Sequence, residues 1–172
     1  MRLVATTAED TRAIGQRLAG LLRPGDLLVL SGDLGAGKTT FTQGLGAGLG
    51  VRGAVTSPTF VISRVHPSLG DGPALAHVDA YRLAAPDGSR RAGLELDDLD
   101  LDTSLDDAVT VVEWGGGVAE ILAEDRLEVE ILRAHGEAVD VDGEARTLRL
   151  TGVGPRWADV DVVGALAPDR GA

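Results

Sequence analysis

Apolar positions first recur at helical spacing near the start of the chain. In TTAEDTRAIGQRLAGLL, Ile14, Leu18, Leu21 and Leu22 fall on one face of a predicted helix. Thr7 stands where an N-cap belongs, and Asp10 follows three residues later, as in a capping box. RPGD at 23–26 ends the helix. LLVL at 27–30 is a continuous apolar run between turn residues, the pattern of a buried strand. SGDLGAG reads as a loop. KTTFTQGLGAGL then places Phe41, Leu45 and Leu49 along one side of a second helix. Gly44, Gly46 and Gly48 each cost that helix roughly 1 kcal/mol relative to alanine. Packing has to hold it, and glycines permit a close neighbour.

Farther on the period shortens. PTFVISRVH at 58–66 and ALAHVDA at 74–80 read as two strands, and the turn-rich PSLGDGP between them predicts a hairpin. Residues 84–108 are acidic and mixed, with short helices expected around 89–92 and 96–101. AVTVVEW at 108–114 is a further buried strand, followed by glycines and a short helix near 118–123. DRLEVEILR and EARTLRLTG alternate, are joined by the turn-rich AHGEAVDVDG, and predict a final antiparallel pair. The order predicts an α/β fold, a P-loop NTPase-like three-layer sandwich with a central mixed sheet flanked by helices. The domain is expected to span residues 1–154. From Pro155 the Ala-, Gly-, Pro- and Asp-rich end is expected to be a weakly ordered tail over 155–172, whose removal from 156 would leave the thermal midpoint nearly unchanged.

Composition narrows the chemistry. With 172 residues and 44% hydrophobic side chains, one real core is affordable, and 3% aromatic content means that Leu, Val, Ala and Ile build it. The absence of cysteine excludes disulfides, thiolate catalysis and cysteine-ligated zinc. No apolar run has the length of a signal peptide or membrane span, so a soluble, cytoplasmic protein is expected, with no membrane role. A formal net charge of −11 disfavours unaided binding to DNA or RNA phosphates.

Lysine and arginine together number sixteen, and Lys38 is the only lysine. It lies in GDLGAGKT, residues 32–39, which matches G-x-x-x-x-G-K-[ST] between a predicted strand and a predicted helix. Glycines let backbone N–H groups cradle phosphate oxygens, and the helix that follows offers its positive end to the same anion. An ammonium at Lys38, expected to be exposed without ligand, can reach the outer phosphates as a compact charge, where a planar guanidinium fits poorly. The Thr39 hydroxyl can serve Mg²⁺. Phosphoryl transfer needs further oxygen ligands or a group that orients water. Asp79 and Glu113 end two predicted strands, and either can hold Mg²⁺ or its water shell while the other orients the attacking water. Thr59, in TSPTF, is a candidate sensor of the terminal phosphate. His66 and His77 have no partners at metal-binding spacing and read as structural. Trp114 reads as core or as a lid. With no asparagine in the chain, the guanine-reading N-K-x-D element does not exist, and adenine follows by elimination.

GDLGAGKTTF, SPTF, HVDAYRL and VVEW, in that order, resemble the bacterial tRNA threonylcarbamoyladenosine biosynthesis ATPases, the TsaE family, over residues from about 7 to 151. The resemblance implies an ATPase that supports a complex modifying adenosine in tRNAs that read codons beginning with A. It implies TsaD- and TsaB-type threonylcarbamoyl-transferase partners, with tRNA met only through the complex. It further implies ATP held by Gly35, Ala36, Gly37, Lys38, Thr39 and Thr40, and Mg²⁺ held by Thr39 and Glu113. Asp79 would support hydrolysis, Thr59 would belong to a switch-like segment, and Arg146 would contact nucleotide. The chain departs from the family's HFDLYRL at Val78 and Ala80, and its DPEEL helix is replaced by APDGSRRAG. Two other readings share the P-loop. One is a small-molecule kinase with a lid carrying Arg90 and Arg91, and the other is a non-catalytic nucleotide sensor.

Overall fold

The computed structural model describes residues 2–57, 63–79, 106–113, 123–133 and 145–166. Among the described residues seven strands form one mixed sheet: β1 (Arg2–Ala5), β2 (Leu27–Ser31), β3 (Ser63–His66), β4 (Ala74–Asp79), β5 (Ala108–Glu113), β6 (Arg126–Arg133) and β7 (Arg146–Val153). Their order across the sheet is β1-β7-β6-β2-β5-β4-β3. β2 runs parallel to β5 and β6, and β5 runs parallel to β4. The pairs β3–β4, β6–β7 and β7–β1 are antiparallel. The expected hairpin into β4 and the final antiparallel pair are both present. The short opening strand β1 was not anticipated.

Burial follows topology. Every residue of β5 is buried, and so are all but the last of β2 and all but the first of β4, as befits parallel strands covered on both faces. β6 alternates between half-buried and buried residues from Arg126 to Leu132 and ends on the exposed Arg133. On one face, Leu28, Leu30, Leu75, Val109, Val111, Leu127, Val129 and Ile131 join Ile14, Leu18, Phe41 and Leu45 of two helices in one apolar cluster. Each such side chain, fully withdrawn from water, contributes about 1.5–3 kcal/mol. The opposite face is closed too, because Leu27, Val29, Ala76, Val78 and Val112 are buried.

The two helices are α1 (Ala8–Ala19) and α2 (Lys38–Leu49). They pack tightly against each other. A Cβ on Gly44 would run into the Arg12 carbonyl oxygen, and one on Gly15 would run into that of Phe41. The glycines that weaken α2 in isolation therefore let its backbone approach α1.

The end of the chain departs from expectation. Residues 155–166 form two short helices, α3 (Pro155–Ala158) and α4 (Val162–Leu166), and do not trail away as a weakly ordered tail. Trp157 and Leu166 enter the apolar cluster. Arg156 clamps α3 through Nε to Asp26 Oδ1 at 2.9 Å, and through one terminal nitrogen to Asp26 Oδ2 and the Leu21 carbonyl, both at 2.8 Å. Scattered in sequence, the apolar residues converge once two short helical turns fold. The expectation that removing residues 156–172 leaves the thermal midpoint nearly unchanged is corrected accordingly, because Trp157 and Leu166 would be lost from the core. Residues 167–172 lie outside the described residues, as do the helices expected at 89–92 and 96–101 and all but the last residue of that expected at 118–123.

Candidate active site

β2 sits mid-sheet, and residues 32–37 carry the chain from its C-terminal end into α2. Gly32, Gly35 and Gly37 have φ of 136°, 71° and 111°, values that side-chain-bearing residues adopt only under strain. A turn closes inside the loop where the Ala36 N–H donates to the Asp33 carbonyl at 3.0 Å. Among the described residues no side chain hydrogen-bonds to the start of α2 at its cap Gly37, and no acidic residue occupies the first turn. The amides at the helix start and its positive dipole end are thus left to an anion.

Lys38 is the first residue of α2 and is buried, which corrects the expectation of an exposed loop residue. Its Nζ arches back and donates to the carbonyls of Gly32 at 2.8 Å and Asp33 at 3.0 Å. Burial draws its pKa below the ordinary lysine value, and the carboxylates of Glu113, Asp33 and Asp79 oppose that shift. The ammonium therefore stands in the field of both strand-end acids.

Strand alternation explains how those acids arrive. Asp79 shares its side of β4 with His77 and Leu75, and Glu113 shares its side of β5 with Val111 and Val109. Asp79 and Glu113 are register partners across the parallel pair, and both are buried. The Thr39 hydroxyl donates to Glu113 Oε1 at 3.5 Å. Two hard oxygens at the mouth of a phosphate cradle suit Mg²⁺, which takes few protein ligands and completes its shell with phosphate and water. The donor set fits that ion.

Arg146, at the start of β7, donates from Nε to the Ala36 carbonyl at 2.9 Å. It also lines a small cavity with Ala8, Thr11, Gly35, Gly37 and Thr40. Its register partner Arg133 donates to the Gly35 carbonyl at 2.8 Å. Two arginines from the antiparallel flank thus grip consecutive carbonyls of the loop. Arg133 was not singled out from the sequence, although its position ending an alternating strand was visible there. His77 was assigned a structural role, yet its Nε2 lies 2.8 Å from Glu113 Oε1. Thr59, Trp114, Arg90 and Arg91 lie outside the described residues.

A family model described as threonylcarbamoyl adenosine biosynthesis protein TsaE matches residues 5–141. A tRNA threonylcarbamoyladenosine biosynthesis protein TsaE from Streptomyces coelicolor is 64% identical over 152 residues, covering 88% of this chain and 96% of that one. A protein of the same name from Bacillus subtilis is 39% identical over 151 residues, covering 87% and 84%. The crystal structure of Bacillus subtilis YdiB superposes with a TM-score of 0.68 at 34% identity, over 91% of this chain and 88% of that one.

Proposed function

The chain belongs to the TsaE family of threonylcarbamoyl adenosine biosynthesis proteins, and from that premise we propose that it is the P-loop ATPase of the system that forms threonylcarbamoyladenosine in tRNA. The observation that carries the reading is the uncapped start of α2, with Lys38 held over it and two carboxylates at the neighbouring strand ends. The relatives are named for this modification, which favours the ATPase over the small-molecule kinase.

In this reading residues 35–40 bind the phosphates of ATP through backbone N–H groups, and Lys38 exchanges its two carbonyl partners for phosphate oxygens. Thr39 and Glu113 would hold Mg²⁺, which when bound offsets charge on the phosphates. Asp79 orients the attacking water and accepts its proton. Arg146 fixes the Ala36–Gly37 peptide and reaches the nucleotide from the cavity it lines. Thr59 belongs to a segment that senses the terminal phosphate. The domain expected over residues 1–154 is extended by α3, which packs against β6 and β7, and by α4, which packs against α1.

The partners are TsaD- and TsaB-type proteins that carry out the transfer, and tRNA meets this chain only through them. At a formal net charge of −11 the chain repels RNA phosphates at long range. Hydrolysis is slow in isolation and accelerated by the partners. Steady-state phosphate release with the protein alone, with tRNA, and with both partners added tests this. Stimulation by the partners is expected, and stimulation by bare tRNA with none from the partners would overturn the reading.

A further inference from the structure

The imidazole of His77 is fully buried on β4, the strand beside the β3 edge of the sheet, with no exposed surface. Its Nδ1 has no hydrogen-bond partner among the described residues. Its polar anchor is Glu113, whose Oε1 lies 2.8 Å from Nε2. Burying a polar ring for one hydrogen bond is costly, and an aliphatic side chain would fill a strand position between β4 and β5 more cheaply. What the histidine adds is a donor aimed at one carboxylate oxygen. That oxygen is also the one facing the Thr39 hydroxyl. A carboxylate only accepts, so the contact places the imidazole proton on Nε2.

We propose that His77 is a positioning residue that locks the Glu113 carboxylate toward Thr39 and so preorganises the metal position. The lock works through the sheet. His77 and Glu113 project to the same side of adjacent parallel strands, two residues out of register, so the ring lies alongside the carboxylate stem. Without that donor, Glu113 keeps its ligand atoms but loses a fixed orientation. Groups that orient a metal ligand typically matter 10–100-fold for metal affinity or activity.

The inference rests on Glu113 as a Mg²⁺ ligand, and the experiment separates the two. Affinity for a fluorescent ADP is measured in EDTA and in Mg²⁺ for the wild type, His77→Leu, His77→Gln and Glu113→Gln. His77→Leu is expected to lower the Mg²⁺-dependent gain in affinity by roughly tenfold or more while leaving affinity in EDTA unchanged. His77→Gln, whose amide nitrogen reaches the same place, is expected to recover most of that gain. A folded His77→Leu protein with the wild-type gain, beside a Glu113→Gln protein that has lost it, overturns the His77 role alone. Full gain in both overturns the metal reading as well. If His77→Leu does not fold, His77→Gln and histidine ¹⁵N spectra of the free wild-type protein decide. An exchange-protected proton on His77 Nε2 with a metal response retained in His77→Gln supports the proposal, and a bare Nε2 overturns it.

Discussion

Helices α1 and α2 are each twelve residues long and pack side by side, yet they begin in opposite ways. α1 satisfies its own start. The Asp10 N–H donates to Thr7 Oγ1 at 3.0 Å, and Asp10 Oδ2 accepts from the backbone N–H groups of Thr6 and Thr7 and from the Thr6 hydroxyl at 2.6 Å. Glu9 and Asp10 place negative charge at its positive end. α2 has a left-handed glycine for a cap, no side-chain acceptor and no acid in its first turn. α1, whose Ala8 and Thr11 line the cavity beside Arg146, closes its N-terminus with its own residues. A helix that works keeps those donors for a ligand and is held in place by packing, here Phe41 and Leu45 in the core and glycines pressed against α1.

The largest expected effect breaks the working end. Lys38→Ala should cut ATP hydrolysis by at least ~100-fold, as loss of a donor to developing charge does. The fold should survive, because Lys38 stands at the first position of α2 and its ammonium donates to the Gly32 and Asp33 carbonyls of the loop itself. Phosphate release beside far-UV circular dichroism checks this. A smaller effect comes from giving α2 what α1 has. Thr40→Glu places a carboxylate in the third helical position, where it offsets the dipole of the empty helix and repels phosphate. Nucleotide affinity should fall roughly tenfold or more with no loss of thermal midpoint, read by titration calorimetry and thermal melts.

The smallest effect is the mirror image. Thr7→Ala should cost about 1 kcal/mol of stability in urea denaturation and change hydrolysis far less than Lys38→Ala does. Acid weakens the same cap. The Thr6 hydroxyl, foremost among its donors, holds Asp10 below its ordinary carboxylate pKa of 3.8. Its contribution is therefore complete above that value and lost as pH falls through the lower folded one. The cost of Asp10→Asn should shrink over that acid range.

How legible each part was follows from where its information lies. The capping box of α1 is four consecutive residues, and the phosphate loop is eight, so both can be read locally. β2 and β5 are apolar runs because parallel strands are buried twice. The joining of Asp79, Glu113 and His77 depends on β4 lying beside β5, which no local pattern encodes. Period-two alternation does place His77 and Asp79 on one face, and that was the available hint. β1 is a four-residue edge strand whose pairing with β7 joins opposite ends of the chain. Trp157 and Leu166 looked scattered because only the folded turns of α3 and α4 bring them to one surface. Arg133 and Arg146 reach the loop from strands nearly a hundred residues or more away in sequence, at separations of 98 and 110.

We propose that the open end of α2 is the anion site. Backbone amide spectra during titration with Mg-ADP test it most directly. The largest shifts are expected at the amides of residues 35–40, with the self-capped amide of Asp10 retaining its hydrogen-bonded signature. Saturable binding that leaves the amides of residues 35–40 unmoved would contradict it.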